Sequence, residues 1–348
     1  MCPVTRFEVE VREQPGVLAR GLRERRAACE TVAAAIHAAA PSYVVVAARG
    51  SSDNAARYAQ YALGAENRLS VALAAPALFT AYARPPRLDG AVVVGISQSG
   101  QSPDVVAVLA EARRQGALTI AITNAPASPL AAAAVHVLDV GAGEETAVAA
   151  TKTYTAQLHT IAMLSAALAG EAARWDALAA VPDAVAAALA TLPAVRVAAP
   201  AFAQAQRSIV LGRGFNHATA WEIALKLKET SYVACEPSSW ADFRHGPIAV
   251  VEPGFPALVV APRGAFGDEV LTLVDDLRAR GARVAAISDR ADVLARVEHA
   301  FALPSGVPEW LSPLVAIVPG QLFALALAEA RGHDPDRPRG LQKVTRTT

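Results

Sequence analysis

Cysteine is scarce in this chain of 348 residues, which has only Cys2, Cys29 and Cys235. The three are widely spaced, and no CxxC pair or Cys/His cluster indicates a zinc site. We therefore expect no metal ion, and this sparse usage favours a reduced, cytoplasmic protein.

An excess of charge is also lacking, because 32 Lys and Arg residues balance 32 Asp and Glu residues. Proteins that bind nucleic acid need surplus basic residues against the phosphate backbone, so nucleic acid is excluded as a partner. A small anionic substrate needs only a local site and remains compatible with this balance. With 53% hydrophobic and 18% charged residues, the composition is that of a globular protein with room for two domains.

Long hydrophobic runs are missing as well. The first residues, MCPVTRFEVEVREQPGVL, are charged and lack the apolar core of a signal peptide. The alanine-rich stretches are too short, or too interrupted by proline and charge, to span a membrane. We therefore expect no membrane association.

Apolar runs alternate with helical patterns along the chain, which predicts an α/β fold with a mostly parallel sheet. The predicted strands are 43–48, 69–74, 91–96 and 118–122, and then 207–211, 257–261 and 283–287. Because the order restarts near residue 195, we predict two copies of one α/β unit. The predicted divisions are a helical segment at 1–30, a first domain at 31–194 and a second domain at 195–348.

The loop Ser97–Ser102, with sequence SQSGQS, is the most informative motif. It lies between a buried strand and a helix that starts at Pro103, where free backbone N–H groups and the helix dipole favour an anion. Serine hydroxyls and a glycine complete a phosphate cradle that contains no Lys or Arg. The GxxxxGK[ST] and GxGxxG patterns of nucleotide sites are absent, so we expect no nucleotide cofactor.

The matching loop Arg49–Ser52 also follows a strand and opens a helix. By itself it is better interpreted as a turn that ends the strand. The other chemical candidates lie in the second half, where Glu222, Lys226 and Glu229 share one helix face and His245 lies in a Gly/Pro-bounded loop. By themselves these residues also fit a solvated helix face and an exposed histidine.

Five motifs together are more specific than any one of them. SQSGQS, the segment 149–153 (AATKT), ALKLKETSY, FRHGP and LQKVT occur in this order. Their order and spacing resemble the isomerase half of glucosamine-6-phosphate synthase, over nearly the whole chain from about Glu13. The sequence is therefore similar to the tandem sugar-isomerase domain family, which implies two flavodoxin-like domains and a homodimer with shared active sites.

The resemblance also implies roles for individual residues. Ser52, Ser97, Gln98, Ser99 and Ser102 are expected to hold the sugar phosphate. Glu229 is expected to move a proton between C1 and C2, while Lys226 stabilises negative charge at C2. His245 is expected to open the sugar ring from a partner subunit, and Lys343 to assist at the carbonyl, with a Schiff base as one option.

Departures from the synthase shape the predicted reaction. Only a short segment separates Cys2 from the first domain, so the glutaminase domain is expected to be absent and Cys2 to have no catalytic role. Ala150 replaces a usual hydroxyl residue, and the residues after Lys343 differ from the usual ones. A stand-alone chain of this kind resembles the sugar-isomerase-type glucosamine-6-phosphate deaminases, which form fructose 6-phosphate and ammonia.

Three alternatives remain open from the sequence. An aldose–ketose isomerase of another sugar phosphate and a fructosamine-6-phosphate deglycase would use the same cradle and Glu229. A sensor that only binds a sugar phosphate is less consistent with Lys226, Glu229, His245 and Lys343 occurring together. Ammonia release from glucosamine 6-phosphate would separate the deaminase from the other enzymes.

Overall fold

The structure is a computed structural model that describes residues 4–343. Cys2 and the predicted C-terminal loop beyond Lys343 therefore lie outside the described residues. The chain forms two compact units that interleave along the sequence. We call residues 16–145, 152–180 and 342–343 the N unit, and residues 4–15, 146–151 and 181–341 the C unit.

The N unit contains a parallel sheet of five strands in the order β2-β1-β3-β4-β5. These strands are β1 (Tyr43–Ala48), β2 (Val71–Leu73), β3 (Ala91–Ser97), β4 (Leu118–Thr123) and β5 (His136–Asp139). Its helices are most of α1 (Arg6–Ala39), α2 (Ser51–Asn67), α3 (Pro103–Arg114), α4 (Pro129–Ala133), α5 (Lys152–Ala169) and α6 (Ala172–Ala179). All seven residues of β3 are buried, as the apolar run AVVVGI predicts for a central parallel strand.

The C unit repeats this architecture with the strand order β10-β9-β8-β6-β7. Its strands are β6 (Arg207–Gly212), β7 (Ala234–Ser238), β8 (Pro256–Val260), β9 (Arg283–Ser288) and β10 (His299–Ala302). Its helices are α7 (Val181–Ala188), α8 (Leu192–Phe202), α9 (His217–Ser231), α10 (Trp240–Arg244), α11 (Glu269–Ala279), α12 (Ala291–Leu294) and α13 (Ser312–Ala330). Numbered within each unit, both orders read 2-1-3-4-5, which is the flavodoxin-like topology. The predicted fold class is confirmed, whereas the predicted domain limits stay a prediction.

Three strands, β5, β7 and β10, were not predicted from the sequence. Each lies at an edge of its sheet, where a strand is short and partly polar because one side lacks a neighbour. Pro237 within β7 illustrates this, since proline cannot donate to a sheet ladder and is confined to edges. These segments contain polar residues that interrupt the continuous apolar runs by which buried strands are predicted.

Two stretches, Ala172–Phe202 and Glu309–Ala330, have the length and hydropathy of a membrane span, contrary to the expectation from sequence. The second stretch is completely buried in the C unit and contains α13. A helix that is apolar on every side is typical of a protein core as well as of a membrane. In this structure α13 is a core helix that packs against α8 and α9.

His159 on α5 gives the N unit a specific pH dependence. Burial, together with the smaller effect of the nearby Arg25 charge, lowers the pKa of His159 to about 4. The unfolded chain, with a histidine pKa near about 6.5, takes up a proton between these values that the folded chain does not. Stability is therefore complete above about pH 6.5 and is lost as the pH falls toward about 4.

We expect this single group to remove at most about 3 kcal/mol of unfolding free energy over that pH window. In the variant His159→Gln, the difference in stability between pH 7.5 and pH 4.5 should shrink by that amount. Urea unfolding followed by circular dichroism at both pH values measures it. An identical pH slope in both proteins would contradict the assignment.

Candidate functional site

The loop Ser97–Ser102, which we call the cradle, has a shape that its own hydroxyl groups fix. The Ser97 Oγ accepts the Gly100 N–H at 3.1 Å, and the Ser99 Oγ accepts the Gln101 N–H at 3.3 Å. The carbonyl of Gln98 accepts the Asn124 N–H at 3.2 Å, which ties the cradle to the end of β4. These bonds preorganise the loop before any ligand binds.

The backbone conformation and close packing at position 100 of the cradle require a glycine. Its φ of 60° is in the left-handed region, and an added Cβ would lie 2.0 Å from the Ser128 Oγ. Ser102 is the N-cap of α3 by backbone position, yet among the described residues its side chain makes no capping bond. The hydroxyl of Ser102 and the first N–H groups of α3 are thus placed to serve an anion.

Ser52 lies at the same edge of the sheet as the cradle. It is in the first turn of α2, directly after β1, and β1 pairs with β3 in the register Ala48 to Ile96. Its Oγ accepts the Gln157 Nε2–H at 3.0 Å, so the buried hydroxyl is held in place. The structure thus places Ser52 and the four predicted cradle residues on two neighbouring βα loops.

A cluster of three charges on α9 forms the acid–base candidate. Lys226 is fully buried, with its Nζ 2.6 Å from the Glu229 Oε2 and 3.4 Å from the Glu222 Oε1. Glu222 is also fully buried, whereas the Glu229 side chain is 23% exposed. The solvated helix face considered from sequence is therefore wrong for Glu222 and Lys226. Of the two carboxylates in this cluster, Glu229 is the one that a substrate can reach.

Lys343 is held by a residue that the sequence analysis missed. Its Nζ donates to the Glu145 Oε2 at 2.7 Å, and this carboxylate is fully buried. Glu145 also accepts the Thr153 N–H at 3.0 Å. The available signal was an acidic residue beside the matched segment 149–153, in a loop otherwise rich in glycine and alanine.

His245 stands apart from these clusters. It is exposed at the end of α10, and its backbone N–H donates to the Asp242 carbonyl at 3.0 Å. No ion pair or hydrogen bond joins it to Lys226 or Glu229 among residues 4–343. Within those residues, no three His, Cys, Asp or Glu side chains lie close enough to form a metal site.

Comparison with known proteins gives a consistent assignment. The SIS domain family model matches twice, at residues 40–167 and 201–330. A glutamine–fructose-6-phosphate aminotransferase (isomerizing) from Thermococcus kodakarensis is 39% identical over 264 residues, covering 73% of this chain and 44% of that protein. The chain therefore spans about half the length of the curated relatives that it matches.

Two solved structures resemble nearly the whole chain. One, from Silicibacter pomeroyi, is provisionally called a phosphosugar isomerase, with a TM-score of 0.86 and 37% identity. The match covers 96% of this chain and 100% of that one. The other is the C-terminal domain of glucosamine-fructose-6-phosphate aminotransferase from Francisella tularensis, with a TM-score of 0.86 and 25% identity. It covers 97% of this chain and 99% of that domain.

Proposed function

This chain belongs to the SIS domain family, and from that premise we propose that it converts glucosamine 6-phosphate and water into fructose 6-phosphate and ammonia. The observation that carries the proposal is the α9 cluster. Its buried Lys226 contacts Glu229, the one member of the cluster that solvent reaches. A carboxylate beside a fixed ammonium suits proton transfer next to a carbonyl, where negative charge develops on oxygen.

The cradle takes the phosphate group. Backbone N–H groups at the start of α3 and the hydroxyls of Ser52, Ser97, Ser99 and Ser102 supply donors, together with the Gln98 side chain. A phosphate carries a charge of about −1.5 to −2 at pH 7 and offers three strong acceptor oxygens. Binding energy from this remote group positions the reacting carbons.

The chemistry begins with ring opening, which needs one group to move a proton between the ring oxygen and the C1 hydroxyl. His245 does this, because its exposed imidazole carries one nitrogen that accepts a proton and one that donates a proton. Lys343, whose Nζ is positioned by its hydrogen bond to Glu145, donates a hydrogen bond to the carbonyl oxygen of the open chain.

Glu229 then takes the proton from C2 and returns it to C1, while Lys226 stabilises the negative charge that develops at C2. In this step the C1 oxygen gains the proton that the C2 amine loses, so that the aldehyde becomes an alcohol and the amine becomes an imine. Water adds its oxygen to C2 and one proton to nitrogen. The hydroxyl proton of this adduct then passes to nitrogen, and the C–N bond breaks with its electron pair on nitrogen, so that a carbonyl forms at C2 and ammonia leaves. The product is fructose 6-phosphate, so atoms and charge balance without any external oxidant or reductant.

The proposal includes a homodimer in the cytoplasm, in which His245 serves the site of a partner subunit. The exposed position of His245 supports the homodimer, because the side chain is available to a second subunit. The free thiols of Cys29 and Cys235 support the cytoplasm, where thiols stay reduced. Light scattering from a sizing column should give about twice the chain mass of 36.0 kDa. A monomeric mass with full activity would contradict this part of the proposal.

The deciding experiment incubates the purified protein with glucosamine 6-phosphate and measures ammonia and fructose 6-phosphate. We expect equal amounts of both products, and none from unphosphorylated glucosamine, which cannot occupy the cradle. N-acetylglucosamine 6-phosphate is the matched control for the free amine and should release no ammonia. Tight binding of the sugar phosphate without turnover would overturn the deaminase. Conversion of another sugar phosphate would then identify an isomerase or a deglycase.

A further inference from the structure

Arg49 has no role in the proposed function, yet it lies beside the cradle. It directly follows β1, and Ala48 before it pairs with Ile96, the residue that precedes Ser97. The strand order reverses between β1 and β3, and open α/β sheets bind ligands at the carboxyl ends of strands at such a point. Arg49 and the cradle therefore flank the crevice where this fold places ligands.

The guanidinium of Arg49 is oriented by a buried acid of the cradle helix. Its Nε donates to the Asp104 Oδ2 at 2.6 Å, and Asp104 is the second residue of α3. The Asp104 side chain is 2% exposed, whereas that of Arg49 is 51% exposed. No second partner of the Arg49 guanidinium occurs among residues 4–343. Because the guanidinium is planar, the single Nε bond fixes its plane and leaves both Nη groups as a fork for an oxyanion.

The charges of the cradle show what such a fork would do. Asp104 places a negative charge in the first turn of α3, where it competes with a phosphate for the helix dipole. The cradle itself contains no Lys or Arg. The guanidinium of Arg49 offsets the negative charge of Asp104 and exposes its two Nη groups to the crevice. A phosphate dianion there would therefore meet cationic hydrogen-bond donors and not the buried carboxylate.

The C unit provides an internal comparison. Arg213 follows β6, the strand that corresponds to β1, but its guanidinium pairs with Glu269 and lies 4.5 Å above the Phe266 ring. The helix that corresponds to α3 has an acid, Asp268, at its N-cap instead of Ser102. The repeated fold therefore does not by itself require an available arginine at this point. The half-exposed fork of Arg49 therefore occurs in the unit that has the serine cradle, whereas the corresponding Arg213 of the C unit is paired with an acid.

We propose that Arg49 is a further substrate-binding residue that recognises the dianionic phosphate of the sugar, with Asp104 as the residue that positions it. This inference rests on the proposed function, because it assumes that the cradle binds the sugar phosphate. It assigns to Arg49 the selection of a doubly charged phosphate over a singly charged group.

The test measures binding of fructose 6-phosphate by calorimetry, so that turnover is not needed. We expect Arg49→Gln to weaken binding at pH 7.5 by roughly 10- to 100-fold, the range for losing hydrogen bonds to a charged group. Arg49→Lys keeps the charge but loses the fork, so it should recover only part of the affinity. Arg114→Gln, at the opposite end of α3, makes the same charge change away from the cradle and should leave affinity unchanged.

The pH profile separates recognition of phosphate from a merely structural role. The second phosphate pKa is near about 6, so wild-type affinity should rise between pH 5 and pH 7.5 as the dianion forms. Arg49→Gln should flatten this rise. Affinity in Arg49→Gln within twofold of wild type, with the same pH profile, would overturn the inference. Absence of binding by the wild type would instead overturn the proposed function, before any variant is compared.

Discussion

Glu229→Gln is expected to lower kcat for ammonia release by about 1,000-fold, within the range for loss of a general base. Glutamine has the shape of glutamate but cannot accept the C2 proton. Because the Glu229 side chain is 23% exposed and makes its ion pair at one oxygen, the substitution should leave the fold intact. KM should change by less than about threefold, since the residue acts on the reacting carbons and not on the phosphate.

Steady-state kinetics with glucosamine 6-phosphate measure this change, and the thermal midpoint reports on folding. Glu252→Gln is a matched control, because it removes an exposed carboxylate of the C unit that pairs with Arg207. The control should keep wild-type kinetics. A loss of less than tenfold in Glu229→Gln, with a normal thermal midpoint, would exclude Glu229 as the proton carrier.

Lys226→Met is expected to damage both stability and activity, through different contacts. Lys226 and Glu222 are both fully buried, so removal of the ammonium leaves the Glu222 carboxylate without its cation. Breaking such a pair costs about 3–5 kcal/mol, because the remaining charge has lost its water and its partner. Urea unfolding of wild type and variant measures the cost.

A double variant separates the two effects. Lys226→Met with Glu222→Gln removes both buried charges, and replacement of a buried ion pair by neutral groups is often tolerated. We expect most of the stability to return, while ammonia release stays low because the cation near C2 is still missing. Recovery of wild-type activity in the double variant would show that Lys226 serves only the fold.

Much of the fold was predictable because central strands and helix starts leave strong local patterns. The run AVVVGI predicted β3, and Ser102 followed by Pro103 predicted the start of α3, both as observed. Three of the four edge strands, β5, β7 and β10, were missed because half of their environment is solvent, which allows polar residues and even Pro237. The local sequence pattern therefore predicts central strands, which are buried on both faces, better than strands at the edge of a sheet.

The candidate site was predictable where its residues are close in sequence. The cradle occupies six consecutive residues, and the spacing of Glu222, Lys226 and Glu229 placed them on one helix face. Burial of Lys226, the pairing of Glu145 with Lys343 and the contact of Arg49 with Asp104 could not be predicted. These depend on residues brought together by folding, across as many as 198 positions in the pair of Glu145 and Lys343.

The separation of Glu145 from Lys343 has a consequence for synthesis in the cell. Ribosomes add about 5–20 residues per second, so Lys343 emerges at least about ten seconds after Glu145. Until then Glu145 cannot make its contact with Lys343. Any nascent or prematurely ended chain that stops before residue 343 therefore lacks the lysine proposed to act at the carbonyl. Under the proposed mechanism, a chain therefore gains catalytic competence only after translation has passed residue 343, and shorter chains consume no substrate.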